Sequence, residues 1–348
     1  MPRLIFFQIA VFISAFLLFS VQLITAKELL PLFGGSVMIW GTCMIYFQGL
    51  LLGGYAFAHW GLTRFGVKGD TKLHWSMMIF GLVCYPLQKL STGFEGIPPT
   101  LSLLLLLTIK TSICFFTLST ISLVLQRWLS ASPLEQKKNP YILESPDLGS
   151  ILGLLSYPFA VERFLSLNMQ SEVWWCGYLL LFILLIPCTP RHFEEEKVTE
   201  VNKELSNGGS PLRWLGLSTC GSALLLATTN IITFDIASTP LLWVLPLTIY
   251  LLTFVLVFKS KSWFPNWLNS IAFWVLPIAL VICWLSELHV VLPNWIFMVL
   301  VYLTILFVLC MCCHGTLYKE RPKDPKLLTR FTSICPWEDF QEVSSSTG

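Results

Sequence analysis

The side chains in this chain that could do chemistry are few, and almost all stand in or beside long apolar runs. Asp235 closes the string Thr228-Thr229-Asn230-Ile231-Ile232-Thr233-Phe234-Asp235, so Thr229, Asn230 and Thr233 lie within two helical turns of one carboxylate. Glu28 and Glu162 fall at the ends of other apolar runs, beside Lys27 and Arg163, and Glu287 ends a further one. Lys110 is set inside a run, in Leu106-Leu107-Thr108-Ile109-Lys110-Thr111-Ser112. Ionisable groups are costly at membrane depth, and those that occur there mark pathways or binding sites. Asp235 with Thr229, Asn230 and Thr233, helped by Glu28 and Glu162, would make a mouth that attracts a small cation, with Lys110 as a counter-ion in a polar cavity. Each also has a plainer role, and on sequence alone the plainer role weighs more. For the carboxylates it is solvated loop charge; for Lys110 it is a stem that snorkels to the interface or pairs with one carboxylate.

The cysteines offer one further cluster, Cys310-Met311-Cys312-Cys313-His314. On a helix Cys310, Cys313 and His314 share a face, a spacing that could ligate zinc or copper. A second ligand pair with matching spacing is missing, so packing is the expected role, with neither metal nor cofactor. The eleven cysteines are scattered and form no disulfide framework. There is no HExxH, no Gly-rich phosphate loop and no placeable Ser-His-Asp set, and no loop is long enough for a folded enzyme domain of about 100 residues. The chain is therefore not expected to be an enzyme by itself.

The elements that must position these groups are membrane helices. Hydrophobic residues make up 55% of the 348 and charged residues 12%, with a mean hydropathy of +0.71. Water would not tolerate that composition, whereas a spanning helix needs roughly 20 apolar residues. Ten runs qualify or nearly so: Leu4–Ala26, Val37–His59, Leu73–Gln88, Leu101–Gln126, Leu148–Glu162, Val173–Cys188, Trp214–Phe234, Pro240–Phe258, Ser270–Leu288 and Trp295–His314. The first is too long for the apolar core of a secretory signal and is read as a retained anchor. With the N-terminus inside, about 18 of the 22 Lys and Arg fall on the cytoplasmic side. The expected fold is an all-α, polytopic bundle of about ten spans, N-in and C-in, on a transporter-like scaffold in the cell inner membrane. Residues 1–188 carry helices one to six, 189–213 a cytoplasmic linker, 214–314 helices seven to ten, and 315–348 a basic tail expected to be disordered. The net charge of +2 is spatially biased toward the membrane flanks, and the partner it implies is the lipid bilayer rather than nucleic acid. Tryptophans gather near run ends, Pro158, Pro246 and Pro277 predict kinks, and Gly49, Gly53, Gly54, Gly149 and Gly153 would let helices approach closely.

Several strings carry a family resemblance. Leu30-Pro31-Leu32-Phe33-Gly34-Gly35-Ser36, then Trp40, Phe47-Gln48 and Gly54-Tyr55-Ala56-Phe57-Ala58-His59, resemble the start of the multi-spanning spermidine-synthase-like proteins. The likeness continues through Leu125-Gln126-Arg127-Trp128, Leu148-Gly149-Ser150 and Ser156-Tyr157-Pro158. It is clearest at Asp235-Ile236-Ala237-Ser238 with Pro240-Leu241-Leu242-Trp243-Val244-Leu245-Pro246, and closes at Cys313-His314-Gly315 and Arg321-Pro322. In that family a membrane region precedes a cytosolic polyamine aminopropyltransferase-like domain. The likeness ends near Phe331, before that domain, so it implies the membrane half alone and no catalytic residues. Departures occur at Val37, at Ser145-Pro146-Asp147 and at Lys110. What the resemblance implies is a membrane module that binds or passes a small cation or anchors a cytosolic aminopropyltransferase-like partner. The alternatives are a subunit of a two-part enzyme and an inactive remnant.

Overall fold

The computed structural model describes residues 2–34, 37–88, 96–130, 145–190, 211–235, 240–258, 263–265, 267–287 and 295–319. Among them are ten α-helices, one π-helical turn and no strand. The helices are α1 (Pro2–Phe33), α2 (Val37–Gln88), α3 (Pro99–Ser130), α4 (Ser145–Ser156), α5 (Glu162–Phe164), α6 (Leu167–Cys188), α7 (Pro211–Asp235), α8 (Pro240–Phe258), α9 (Trp267–Glu287) and α10 (Trp295–Lys319). Five of the apolar segments within them are long and hydrophobic enough to cross a membrane: Leu4–Phe33, Pro99–Leu125, Leu167–Cys188, Arg213–Thr233 and Ile296–Lys319. The fold is all-α, and the protein is a membrane protein. Most of the expected linker and basic tail lie outside the described residues.

Helix is what these runs must form, because in hydrocarbon each backbone N–H and C=O has to find its partner within its own segment. Proline marks where several begin: Pro99, Pro211 and Pro240 open α3, α7 and α8, where a missing N–H costs nothing. Two features depart from the expected boundaries. The polar stretch expected as a loop after His59 is helical, and α2 reverses only at Gly66, whose φ of 62° falls in the left-handed region. The reversal is tight: a Cβ on Gly61 would lie 2.7 Å from the Asp70 carboxylate. The second departure is at Pro158, where the expected kink takes the form of a π turn, Tyr157–Val161, joining α4 to α5. Proline lacks the donor for an i→i−4 bond, and the backbone widens so that the Glu162 N–H reaches the Tyr157 carbonyl.

One core joins α1, α2, α3, α4 and α6, and it includes Phe115, Leu154, Trp174 and Tyr178. A second group of clusters joins α7, α8, α9 and α10 through Trp214, Val257, Met311 and Leu317, and farther along through Ile232, Val299 and Tyr302. Helix α8 also lies against α4 and α1, with Val244 and Leu251 in the first core. Helix α9 is the opposite of a soluble-protein helix. Phe273, Trp274, Leu280, Val281 and Trp284 are all exposed, an apolar surface suited to lipid contact.

Helices α1 and α4 approach backbone to backbone. Cβ atoms on Gly149 and Gly153 would fall 2.4 and 2.8 Å from the backbone oxygens of Phe12 and Phe16. Both residues advance together along the two helices, so α1 and α4 run parallel. Gly149→Ala should therefore push the helices apart and lower stability by about 1–3 kcal/mol, as overpacking does. Thermal unfolding in detergent measures it, with Gly216→Ala, at a position facing open space, expected to change little.

Candidate functional site

The charged groups meet where α1 ends and α6 begins. Glu28 lies a little more than one turn before the end of α1, which Gly34 closes in the left-handed conformation with its N–H bonded to the Leu30 carbonyl at 2.8 Å. On the other side the chain is extended at Leu165 and Ser166 and then enters α6. That entry puts Ser171 opposite Glu28, where its hydroxyl donates to the carboxylate at 2.7 Å. From α3, the Lys110 ammonium donates to the other oxygen of the same carboxylate at 3.3 Å. Next along α1, Lys27 forms an ion pair with Glu162, the first residue of α5.

A second tier supports these pairs. The π turn holds Tyr157 in the interior, its hydroxyl donating to Gln170 Oε1 at 3.1 Å. The Gln170 amide donates in turn to the Leu165 carbonyl at 2.9 Å, tying α6 to the turn that precedes it. Arg163 does not join in. It is exposed and lies over the Phe164 ring. The four paired side chains keep between 16% and 29% of their surface accessible, so the group is half-buried and can be reached from outside. Its formal charges cancel.

Of the residues expected from sequence, Glu28, Glu162 and Lys110 are brought into one region, where Lys110 pairs with the Glu28 carboxylate. The described side chains of the α7 string, Thr229, Asn230 and Thr233, do not join that region. Thr229 and Thr233 donate to carbonyls of their own helix, Leu225 and Thr229, each at 2.7 Å. Asn230 is on the exposed face, and the Asp235 side chain lies outside the described residues. No hydrogen bond or ion pair among the described residues joins Thr229, Asn230 or Thr233 to Glu28, Glu162 or Lys110. Sequence reasoning missed Tyr157, Gln170 and Ser171. The available signal was Gln170-Ser171 at the start of a run that hydropathy placed only from Val173 onward.

Two other polar groups are buried. His314 is enclosed by the edges of Tyr250 and Phe254 and by Thr253, whose hydroxyl is 3.0 Å from Nδ1. Cys310 instead faces the Gly221 carbonyl, so the cysteine–histidine face is divided among neighbours. Among the described residues no three His, Cys, Asp or Glu side chains gather as metal ligands. At the α2 reversal, His74 Nδ1 lies 2.8 Å from the Asp70 carbonyl and 3.4 Å from its carboxylate, and Trp128 donates to Thr71 at 2.9 Å. That i, i+4 pair was readable in the sequence but not singled out.

Together these features define an integral membrane protein of helices with a half-buried, charge-neutral group of ion pairs at one end of its first half. No protein-family model matches the chain, and no curated protein matches it.

If Lys27 and Glu162 clamp α1 to α5, reversing either charge sets like charges together, and exchanging both restores the pair. Lys27→Glu and Glu162→Lys should each lower the detergent Tm, and the double exchange should recover most of the loss. The coupling energy should be about 1 kcal/mol, at the upper end for exposed pairs. Independent, additive losses would show that the pair does not hold the helices.

Proposed function

We propose that this chain is an inner-membrane module that binds or passes a small organic cation at its outer face, with Glu28 as the receiving carboxylate. The topology in this reading has ten crossings with both ends inside. It is supported by the correspondence of the ten apolar runs with helices, the two arms of α2 counting separately. It is also supported by exposed Arg64, Lys68 and Lys72 at the α2 reversal and exposed Lys319 at the end of α10. The resemblance to the membrane half of spermidine-synthase-like proteins supplies the substrate class, a polyamine, and the transporter-like scaffold. A cytosolic aminopropyltransferase-like protein is the partner this reading would give the chain.

The observation that carries the reading is the Glu28 carboxylate, partly open to solvent and already holding an ammonium and a hydroxyl from two other helices. A carboxylate so arranged is built to accept N–H donors. Asp235, at the end of α7, is the second acidic contact in this reading, and Glu162 the third.

Labelled spermidine tests it in vesicles containing the full chain. Glu28→Gln should weaken binding at least tenfold, about 1.4 kcal/mol, and Asp235→Asn should slow uptake. Unchanged binding and uptake in both variants would remove the reading. Topology is tested separately by reporter fusions: Lys137 and Lys203 should report the same compartment, and opposite compartments would refute the ten-span order.

A further inference from the structure

Glu28 has two partners of unequal quality. Ser171 donates at 2.7 Å, whereas the Lys110 ammonium is at 3.3 Å, beyond the usual 2.7–2.9 Å of a charge-assisted N–H···O bond. An ammonium has three donors. Among the described residues Lys110 uses one of them, toward Glu28. Its stem runs from α3, a helix that otherwise packs mainly on α2 and α1, and the side chain keeps 16% of its surface open. Lys110 therefore neutralises the carboxylate without filling its hydrogen-bonding capacity.

We propose that Lys110 is an internal counter-ion that occupies Glu28 in the empty protein and is displaced by an incoming primary ammonium. The carboxylate and the Ser171 hydroxyl, which can turn to accept, favour a ligand carrying N–H groups over a quaternary ammonium of equal charge. A free ligand can turn to use both acceptors, which the tethered lysine does not. Once displaced, the Lys110 ammonium moves along its four-carbon stem toward water. Occupation by Lys110 lowers the apparent affinity by the fraction of molecules in which Glu28 is already taken. This inference rests on the reading of Glu28 as the cation-receiving carboxylate.

The test uses the full chain in nanodiscs, with ethylammonium as probe and tetramethylammonium as control. Calorimetry should find ethylammonium binding to the native protein, weaker or no binding of tetramethylammonium, and binding at least fivefold tighter in Lys110→Met. In parallel, protein labelled with 13C-lysine gives an Nζ-adjacent signal for Lys110, assigned by its absence in Lys110→Arg. Saturating ethylammonium should move that signal to the position of a solvated lysine, a readout that does not depend on Lys110→Met folding. If ethylammonium binds the native protein but leaves the Lys110 signal in place, displacement is wrong and the cation reading stands. The same holds if ethylammonium binds Lys110→Met no more tightly than the native protein. If ethylammonium binds neither form, the cation reading of Glu28 fails and this inference fails with it.

Discussion

A backbone amide in hydrocarbon has no water to turn to, so each apolar run must close its own hydrogen bonds, and helix follows. The same solvent takes away the force that usually presses helices together, because lipid tails are as apolar as the side chains they meet. Contact then depends on shape. Gly149 and Gly153 let α4 rest on the carbonyl oxygens of α1, and Gly81 admits the Tyr178 ring of α6 against α2. The Trp174 indole donates to the Leu17 carbonyl at 2.9 Å, fixing α6 on α1. Helix α1 is thus the post on which α3, α4 and α6 are hung. Helix α9, touching mainly α10 and exposing large side chains, illustrates what remains where close approach is not built in.

Polar side chains answer to that constraint in two ways. Hydroxyls satisfy themselves locally: Thr111, Thr117, Thr229 and Thr248 each donate to the carbonyl four residues earlier in their own helix. They sit in an apolar environment at little cost and reveal nothing about neighbours. Charges have no such local remedy and need a partner from elsewhere. The ion pairs of α1 therefore mark the tertiary structure in a way its hydroxyls do not.

This difference accounts for what the sequence disclosed. The apolar runs and their helical state follow from hydropathy; the division into six and four expected at the polar break near Thr189–Arg213 is crossed by α8, whose Val244 and Leu251 sit in the first core. Pro158 and the glycines of α4 were legible because their backbone chemistry is local. The pairings were not. Lys110 and Glu28 are 82 positions apart, and Lys27 and Glu162 135 apart, so nothing in either neighbourhood names the other. The α7 string shows the complementary case. Its density of hydroxyls looks like a site, but Thr229 and Thr233 are occupied by their own helix. The turn at Gly66 was hidden because Arg64, Lys68 and Lys72 read as a loop, whereas charged residues extend a helix perfectly well in water.

The arrangement also limits how the Glu28 region can change. Its contacts come from α1, α3, α5 and α6, and α1 cannot shift against α4 without driving glycine Cα atoms into carbonyl oxygens. Helices α3 and α6 are held differently, α3 to Glu28 by a long lysine stem and α6 by a short serine and the Gln170 bond to its entering turn. A stem of four methylenes tolerates displacement that a serine hydroxyl cannot follow. On the Glu162 side the π turn is closed by the Glu162 N–H bond to the Tyr157 carbonyl, with Tyr157 buried and bonded to Gln170. Rearrangement around Glu28 is therefore expected to begin with Lys110, while the serine contact and the glycine-packed α1–α4 pair stay fixed. Rigidity on one side and a flexible cation on the other is what the exchange proposed for Glu28 would require.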